Sequence, residues 1–159
     1  MKFTSQEEFG LRCLLRLGKQ HGEGSLTIPE ISRLEGISPA YVGKLMRVLR
    51  TAGLVTSVRG QAGGYRLSRP PEAIPVGEAM AVLGGRLYEP QFCAEHSGEE
   101  RVCTHSVDCS LRSLWRSLQL VLDQVLDRTS LRDLLCNEAA MDTWVDHLVS
   151  VSGLHSPPA

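Results

Sequence analysis

Residues 38–69 read SPAYVGKLMRVLRTAGLVTSVRGQAGGYRLSR, and this stretch decides the fold. Ser38 followed by Pro39 is typical of a helix start, because serine caps free backbone N–H groups and proline tolerates the first helical position. The apolar residues that follow at helical spacing are Tyr41, Val42, Leu45, Val48 and Leu49. Gly53 is a typical helix end. The sequence therefore predicts an amphipathic helix between Ser38 and Gly53.

The second half of the stretch predicts a β-hairpin. Apolar and polar side chains alternate from residue 54 to residue 59, the glycine-rich turn Gly60–Gly64 follows, and Tyr65–Ser68 is the expected second strand. Alternation around a turn of this composition is typical of two paired strands. Arg59 and Arg66 flank the turn, so we expect the hairpin to present cations near its tip.

Two further helices are expected before residue 38. Residues 4–20 have apolar side chains at helical spacing after a Thr4/Ser5 cap, and Thr27 begins a shorter helix that ends at Gly36. Two short helices joined by a tight glycine-containing turn are the signature of a helix-turn-helix, and a hairpin directly after it is a wing. The helix expected between Ser38 and Gly53 is the second helix of this motif. On it, Lys44, Arg47 and Arg50 recur every three residues and project away from the apolar stripe. Such charged faces are usually only solvated, but this combination favours a basic recognition helix.

Charge is divided unevenly along the chain. Residues 1–69 carry eleven Lys and Arg against five Asp and Glu, whereas residues 70–159 carry six against thirteen. The net charge of −1 conceals this asymmetry. This asymmetry indicates that only the first half touches a polyanion. Together with the helix-turn-helix and wing, it predicts a winged helix-turn-helix DNA-binding domain over residues 1–69.

The C-terminal half predicts a linker and then a long apolar helix. Residues 70–92 contain one short helix, 93–109 a cysteine-containing loop, 110–150 a long helix and a C-terminal helix, and 151–159 a disordered tail. The apolar positions that step by three and four along the long helix are Leu111, Leu114, Leu118, Val121 and Val125. Because this face is so apolar, the pattern favours a dimerisation helix over a helix that only folds back on its own domain. The expected fold class is mainly α with a small β-hairpin wing.

The loop FCAEHSGEERVCTHSVDC, residues 92–109, holds three of the five cysteines. The N-terminus lacks a continuous apolar segment, and no run of 18 apolar residues occurs, so we expect a cytoplasmic protein with no membrane span. Cytoplasmic thiols are kept reduced, which disfavours a disulfide and favours metal binding. By spacing alone, zinc is nearly as good an assignment as an iron–sulfur cluster. Further helical sequence is expected over residues 130–144. Cys13 lies on the first helix and Cys136 on an amphipathic helical segment, so both are expected to be buried, structural residues.

No enzyme motif is found. The sequence contains no GxxxxGK[ST] phosphate loop, no HExxH and no GxSxG, and the paired glycines of the wing do not lie at a strand-to-helix turn. We therefore expect a protein that is not an enzyme.

The stretch ISPAYVGKLMRVLRTAGLVTSVRGQAGGYRLSR, the segment IPVGEAM and the segment TSLRDLL together resemble the Rrf2 family of bacterial winged-helix transcription factors. The resemblance covers roughly residues 1–137 and is most specific in RGQAGGYRL. It implies a homodimer whose two winged helices read a pseudo-palindromic operator in double-stranded DNA, with the long helices crossing at the interface. In cluster-binding IscR-like and NsrR-like members, three loop cysteines hold an iron–sulfur cluster. Cys93, Cys103 and Cys109 occupy those positions here.

The cysteine pattern departs from those relatives. Its steps are ten and six residues, where the relatives have more even spacing, and the extra residues lie within Glu95–Arg101. Arg112 stands where IscR-like members have a histidine ligand, and an arginine cannot replace it. The resemblance implies Glu8 of the partner subunit as the fourth ligand, with His105 as the alternative. His96 and Asp108 are weaker possibilities. Whether the cluster is 2Fe–2S or 4Fe–4S is left open.

The sequence and the resemblance together predict the DNA-contacting residues. Ser38, Tyr41, Lys44 and Arg47 are expected in the major groove. The wing residues expected at the minor groove or the backbone are Arg59, Gly60, Gly63, Gly64 and Arg66. The expected function is a regulator that senses redox state, nitric oxide or iron–sulfur supply. One alternative is a repressor of the same fold without a cluster, responding to zinc, a small ligand or a partner protein. The other is a protein-interaction module that does not bind DNA.

Overall fold

The computed structural model describes residues 3–60, 63–89, 91–97, 103, 105 and 107–151, except for the side chains of residues 149 and 151. The first three helices are α1 (Ser5–Lys19), α2 (Ile28–Glu35) and α3 (Pro39–Thr51), followed by strands β1 (Val55–Val58) and β2 (Gly64–Leu67). The later helices are α4 (Val76–Gly84), α5 (Phe92–Glu95), α6 (Ser110–Leu126) and α7 (Glu138–Val151), with 3-10 turns at Pro71–Ala73 and Asp133–Leu135. The mainly helical fold with one hairpin is confirmed.

Two capping boxes set the starts of α1 and α2. In the first, the Thr4 hydroxyl accepts a hydrogen bond from the N–H of Glu7 (3.2 Å), and the Glu7 carboxylate accepts one from the N–H of Thr4 (2.6 Å). Thr27 and Glu30 repeat this arrangement at α2. The hydrogen bonds from the backbone and the hydroxyl of Thr27 lower the pKa of Glu30. Each box satisfies donors that a helix start leaves without a partner.

An ion-pair cluster fixes α1 against the turn of the helix-turn-helix. The Glu35 side chain, only 9% exposed, accepts from Nε of Arg12 at 3.0 Å and from Nε of Arg16 at 2.6 Å. Arg12 also donates to the main-chain oxygen of Glu35 at 2.6 Å. Gly36 follows at φ +67°, a left-handed conformation that glycine adopts without strain. The turn that sets the angle between α2 and α3 is therefore held from outside by α1.

The wing is an antiparallel hairpin extended by one further bridge. Val55 pairs with Leu67 and Val58 with Gly64. Leu26, before α2, exchanges two backbone hydrogen bonds with Tyr65 at 2.9 and 2.8 Å. The bridge ties the turn-proximal half of β2 to the segment that leads into α2. This support matters because a two-stranded hairpin alone is only marginally stable.

The core lies between α1, α2, α3 and the wing, and the chain returns to it after α6. The fully buried residues from several elements include Leu14, Ile31, Leu45, Leu49, Leu54, Ile74 and Leu131. Leu131 lies beyond α6, and its N–H donates to the oxygen of Ile74 at 2.9 Å. The N–H of Val76 donates to the oxygen of Thr129 at 2.7 Å. The C-terminal end of α6 is thus anchored to the domain that carries the wing.

Several expected boundaries differ from those observed. The loop predicted over 93–109 contains the one-turn helix α5, and the helix expected over 130–144 is a 3-10 turn followed by α7. Cys13 is fully buried as expected, but the burial expected of Cys136 is wrong, because this residue lies exposed between that turn and α7. No helix in the part of the chain that the structure describes has the length and apolarity to cross a membrane. The tail at 152–159, the wing tip at 61–62 and residues 98–101 of the expected insert lie outside the described residues.

Candidate DNA-binding surface and cysteine pocket

The N-terminal part of α3 presents the expected recognition residues. Ser38 is exposed, and its hydroxyl caps the helix by accepting from the N–H of Tyr41 at 3.3 Å. Lys44, Arg47 and Arg50 are all exposed, while the opposite side of α3 is buried in the core. Capping at Ser38 and burial of one face leave the cationic face of α3 available for a phosphate backbone or for base edges.

Tyr41 is held by aromatic contacts rather than left free. Its ring meets the ring of Phe9 edge-on, with centroids 5.9 Å apart and an interplanar angle of 88°. Arg12 lies over Phe9, with Cζ 5.5 Å from the ring centroid, and Lys44 Nζ lies 5.7 Å from the centroid of Tyr41. A chain of contacts therefore runs from Glu35 through Arg12 to Lys44. Sequence reasoning placed Tyr41 on the DNA surface but gave no indication that α1 supports it.

Glycine is required in the wing for two different reasons. Gly64 has φ +155°, and a Cβ there would lie 2.6 Å from the main-chain oxygen of Leu26. A Cβ on Gly63 would lie 2.7 Å from the oxygen of Gly60. Gly60 itself has φ +104°. The lack of a Cβ at Gly64 lets the hairpin pass close to the segment at Leu26. Close backbone packing at Gly63 and Gly64 and the positive φ of Gly60 together explain why the wing is rich in glycine.

The wing arginines occupy different surroundings. Arg59 is exposed where β1 ends. Arg66 is exposed opposite Thr56 on the outer face of the hairpin. Its side chain lines two cavities, of about 620 and 460 Å³, that separate the wing from the loop containing Glu23 and Gly24. Both arginines are thus on the surface, with Arg66 closer to the α1–α2 loop.

The structure brings the three loop cysteines to one pocket. A cavity of about 240 Å³ is lined by Cys93, Cys103 and Cys109 together with Ala94, Ser97, His105 and Arg112. All three thiols are half-buried. Cys109 is also the N-cap of α6, where its sulfur accepts from the N–H of Arg112 at 3.4 Å. Three soft donors and one imidazole therefore share a pocket at the start of α6.

Tyr88 contacts this pocket, and sequence reasoning missed it. Its hydroxyl lies 3.6 Å from Sγ of Cys93, and its ring packs against Phe92 with centroids 5.6 Å apart. The hydrogen bond with Cys93, and then burial, raise the pKa of Tyr88, while Arg112 and Arg116 oppose the shift. Phe92 in turn stacks on His96 at 4.1 Å. Only the nearness of Tyr88 to Cys93 in the sequence could have indicated the contact.

The three cysteine sulfurs are chemically suited to an iron–sulfur cluster, but in the part of the chain that the structure describes they do not form a group that could hold a metal ion. No three His, Cys, Asp or Glu side chains among the described residues form a group that could hold a metal ion. Cys93, Cys103 and Cys109 nonetheless line one pocket, and thiolates are the usual ligands of such clusters. The chemistry of the three sulfurs therefore suits a cluster, although among the described residues they do not form a closed metal-binding group.

The two expected fourth ligands are placed differently. His105 is exposed and lines the cysteine pocket. Glu8 is exposed in the first turn of α1, outside the residues that line the pocket of its own protomer. Arg112 also lines the pocket. Only His105 thus stands beside the thiols within one chain.

Comparison with known proteins identifies the family. The family model Rrf2, described as "Iron-dependent Transcriptional regulator", matches residues 3–137. The transcriptional regulator CymR of Bacillus subtilis is 33% identical over 134 residues, which cover 84% of this chain and 89% of CymR. The regulator IscR of Aliivibrio salmonicida is 35% identical over 135 residues, covering 85% and 77%. The relatives are named as transcriptional regulators, which confirms the prediction that this chain is not an enzyme.

Solved structures agree with the sequence match. The structure of CymR from B. subtilis, titled the global cysteine regulator, has a TM-score of 0.69 at 32% identity and covers 85% of this chain and 96% of CymR. The structure of T. potens IscR has a TM-score of 0.67 at 33% identity, with coverage of 85% and 86%. The fold, the match over residues 3–137 and these relatives lead to one conclusion: the chain belongs to the Rrf2 family of transcriptional regulators.

Proposed function

We propose that this regulator is a homodimer that binds a specific operator in DNA and senses redox state, nitric oxide or iron–sulfur supply through an iron–sulfur cluster. Cys93, Cys103 and Cys109 are the proposed ligands, and Glu8 of the partner subunit or His105 is the fourth. The single observation that carries the cluster is the pocket that the three sulfurs share at the start of α6. When bound, the cluster supplies a redox-active and NO-reactive centre.

DNA recognition is assigned to the exposed cationic face of α3 and to the wing. Ser38, Tyr41, Lys44 and Arg47 are proposed to enter the major groove. The wing contacts are proposed for Arg59, Gly60, Gly63, Gly64 and Arg66. Phosphate contacts from these cations give salt-dependent affinity, while contacts with base edges give sequence preference.

The dimer is supported by apolar residues that α6 leaves exposed. Leu111, Leu114 and Leu118 are 58%, 48% and 40% exposed along one side of this helix. Val121 and Val125 continue the same side and are half-buried. Leucine exposed in a row on a helix that is tied to its own domain is typical of an interface with another chain. We define Leu111, Leu114, Leu118, Val121 and Val125 as the α6 seam and propose a second copy of the chain as its partner.

Switching is proposed to depend on the position of the cysteine pocket. Cys109 caps α6, and the α6 seam begins two residues later. A change in bonding at Cys109 therefore alters the first turn of the helix that joins the two subunits. Local changes of this kind act when they bias an element that has two arrangements, here the crossing of two α6 helices.

Anaerobic purification tests the cluster. The protein should be brown and contain iron and acid-labile sulfide in similar amounts, and Cys93→Ala and Cys109→Ala should lose both. Cys136→Ala is the matched control, because Cys136 is exposed and does not line the pocket. A colourless wild-type protein from anaerobic, iron-replete cells would contradict the proposal.

A cluster-free regulator is the second candidate. The similarity to CymR favours it. Its signal would be zinc, a small ligand or a partner protein, and the absence of a closed group of metal ligands among the described residues favours the last two over zinc. Selection of binding sites from random DNA separates both candidates from a protein-interaction module, because only a regulator enriches a palindromic sequence.

A further inference from the structure

Residues 86–88 are attached to α6 by a group of polar side chains that the proposed function does not use. Gln119, in the middle of α6, is 8% exposed and accepts a hydrogen bond from the N–H of Tyr88 at 2.9 Å. Its amide group donates to Asp123 at 2.8 Å, and Asp123 pairs with Arg86. A buried side-chain amide is costly to leave without partners, so Gln119 holds Tyr88 at a defined point of the helix.

The side chain of Tyr88 connects the same point to the cysteine pocket. Its hydroxyl lies 3.6 Å from the sulfur of Cys93, and its ring packs on Phe92 in α5. Tyr88 therefore contacts α6 through its main chain and the first cysteine through its side chain. The sulfur of Cys93 is thus one atom that both this contact and the proposed cluster would engage.

We propose that Tyr88 is a positioning residue that fastens the cysteine pocket to α6 through Gln119, so that engagement of Cys93 as a ligand controls how firmly residues 86–88 and α5 are held against that helix. This inference rests on the proposed function for Cys93 as a ligand and for α6 as the dimer helix. It adds a second connection from the pocket to α6, independent of the cap at Cys109. Gln119 is adjacent to Leu118 of the α6 seam, so this connection ends beside the proposed interface.

Amide hydrogen exchange on the reduced, metal-free chain tests the attachment to α6. Gln119→Ala should make the Tyr88 amide exchange about 3- to 10-fold faster, the effect of losing one hydrogen bond. Gln124→Ala is the matched control, because Gln124 is exposed on the same helix. Amides of α3 serve as a folding check and should be unchanged in both variants. Equal Tyr88 exchange in the two variants would overturn the proposal.

A double-mutant cycle tests the contact between Tyr88 and Cys93. Tyr88→Phe and Cys93→Ala should each accelerate exchange of the His96 amide, which donates to the oxygen of Phe92 at 3.1 Å. The double variant should show little further acceleration, because both changes remove the same contact. Tyr65→Phe, in the wing, is the control for losing a tyrosine hydroxyl. Multiplicative effects in the double variant mean independent roles and contradict the proposal.

A third readout separates this inference from the proposed function. In protein loaded with a cluster, Tyr88→Phe should shift the reduction potential and Tyr65→Phe should not. An unchanged potential in Tyr88→Phe counts against the proposal. If the wild-type chain accepts no cluster, the proposed function fails, and the exchange experiments still decide whether Tyr88 joins the pocket to α6.

Discussion

The ammonium group of Lys44 lies 5.7 Å from the centroid of the Tyr41 ring, on the exposed face of α3. Phe9 supports the same ring edge-on from α1, and Arg12 lies over Phe9. A lysine side chain normally samples many rotamers, and a cation near an aromatic face is restrained by its attraction to the ring. Lys44 is therefore partly ordered in the unbound protein, and in the proposed complex with DNA this would reduce the entropy lost on binding.

Replacement of Lys44 tests this arrangement. Lys44→Ala should weaken binding to the selected operator by about 1–3 kcal/mol if it reads a base, or lower the salt dependence by about one charge if it contacts a phosphate. Fluorescence anisotropy at several salt concentrations measures both effects. Lys19→Ala, an exposed lysine at the end of α1, is the matched control. Equal affinities for the two variants would remove Lys44 from the interface.

Substitution of Gly64 tests the close approach in the wing. Gly64→Ala places a Cβ 2.6 Å from the oxygen of Leu26 at φ +155°, so the free energy of unfolding should fall by about 1–3 kcal/mol. Gly43→Ala, inside α3, places its Cβ at an ordinary 3.7 Å from Ile28 and should raise the free energy of unfolding by roughly 0.5–1 kcal/mol. Urea unfolding measures both. A Gly64→Ala chain as stable as Gly43→Ala would mean that the wing relaxes freely.

Substitution in the α6 seam tests the dimer. Leu118→Glu removes an apolar side chain from both copies of the interface, a loss of roughly 1.5–3 kcal/mol per side chain, and adds two desolvated charges. The variant should be monomeric by light scattering at concentrations where the wild type is dimeric. Leu120→Glu is the control, because Leu120 is 61% exposed and lies on the opposite side of the same helix. Dissociation by Leu120→Glu alone would place the interface on the other face.

Cysteine reactivity distinguishes Cys13 from Cys136. Burial, and then the charge of Glu35, raise the pKa of Cys13 to about 12, against an ordinary value of 9.0. Iodoacetamide near neutral pH should therefore label exposed Cys136 and leave Cys13 unlabelled until urea unfolds the chain. Peptide mass spectrometry identifies the labelled residue. Rapid labelling of Cys13 in the native protein would show that α1 opens locally.

The same shift predicts a pH dependence of stability. Cys13 loses its proton near pH 9 in the unfolded chain and only near pH 12 in the folded chain. The unfolded state therefore binds fewer protons within this window, and the contribution of Cys13 to stability falls as the pH rises through it. Below pH 9 the contribution is constant. In Cys13→Ala the decline between pH 9 and 12 should be smaller, as measured by urea unfolding at each pH.

The sequence was most informative where signals are local. The caps at Thr4, Thr27 and Ser38 and the glycine-rich hairpin predicted the helix-turn-helix and the wing, because capping and turn chemistry act within a few residues. Cys136 was misjudged because helical spacing over 130–144 hid a 3-10 turn that exposes it.

Contacts between distant segments could not be predicted. The N–H of Tyr88 donates to Gln119, thirty-one residues later, and Arg12 of α1 forms an ion pair with Glu35 at the end of α2. Neither pair forms a recognisable motif, since each depends on how complete helices pack. The supports of the candidate sites therefore came from the structure, although the residues proposed as ligands and DNA contacts came from the sequence.

Residues 129–131 bind the segment around Ile74, so α6 is rigidly attached to its own domain at its C-terminal end. Gln119 attaches it again near its middle. In the proposed dimer, each α6 would move together with the α3 of its own subunit. The crossing of the two α6 helices would therefore fix the distance between the two α3 helices. An inserted base pair turns one half-site by about 34° and moves it about 3.4 Å. Because the two α3 helices are held at a fixed distance, binding should tolerate base changes in the DNA between the half-sites far better than a change in the length of that DNA.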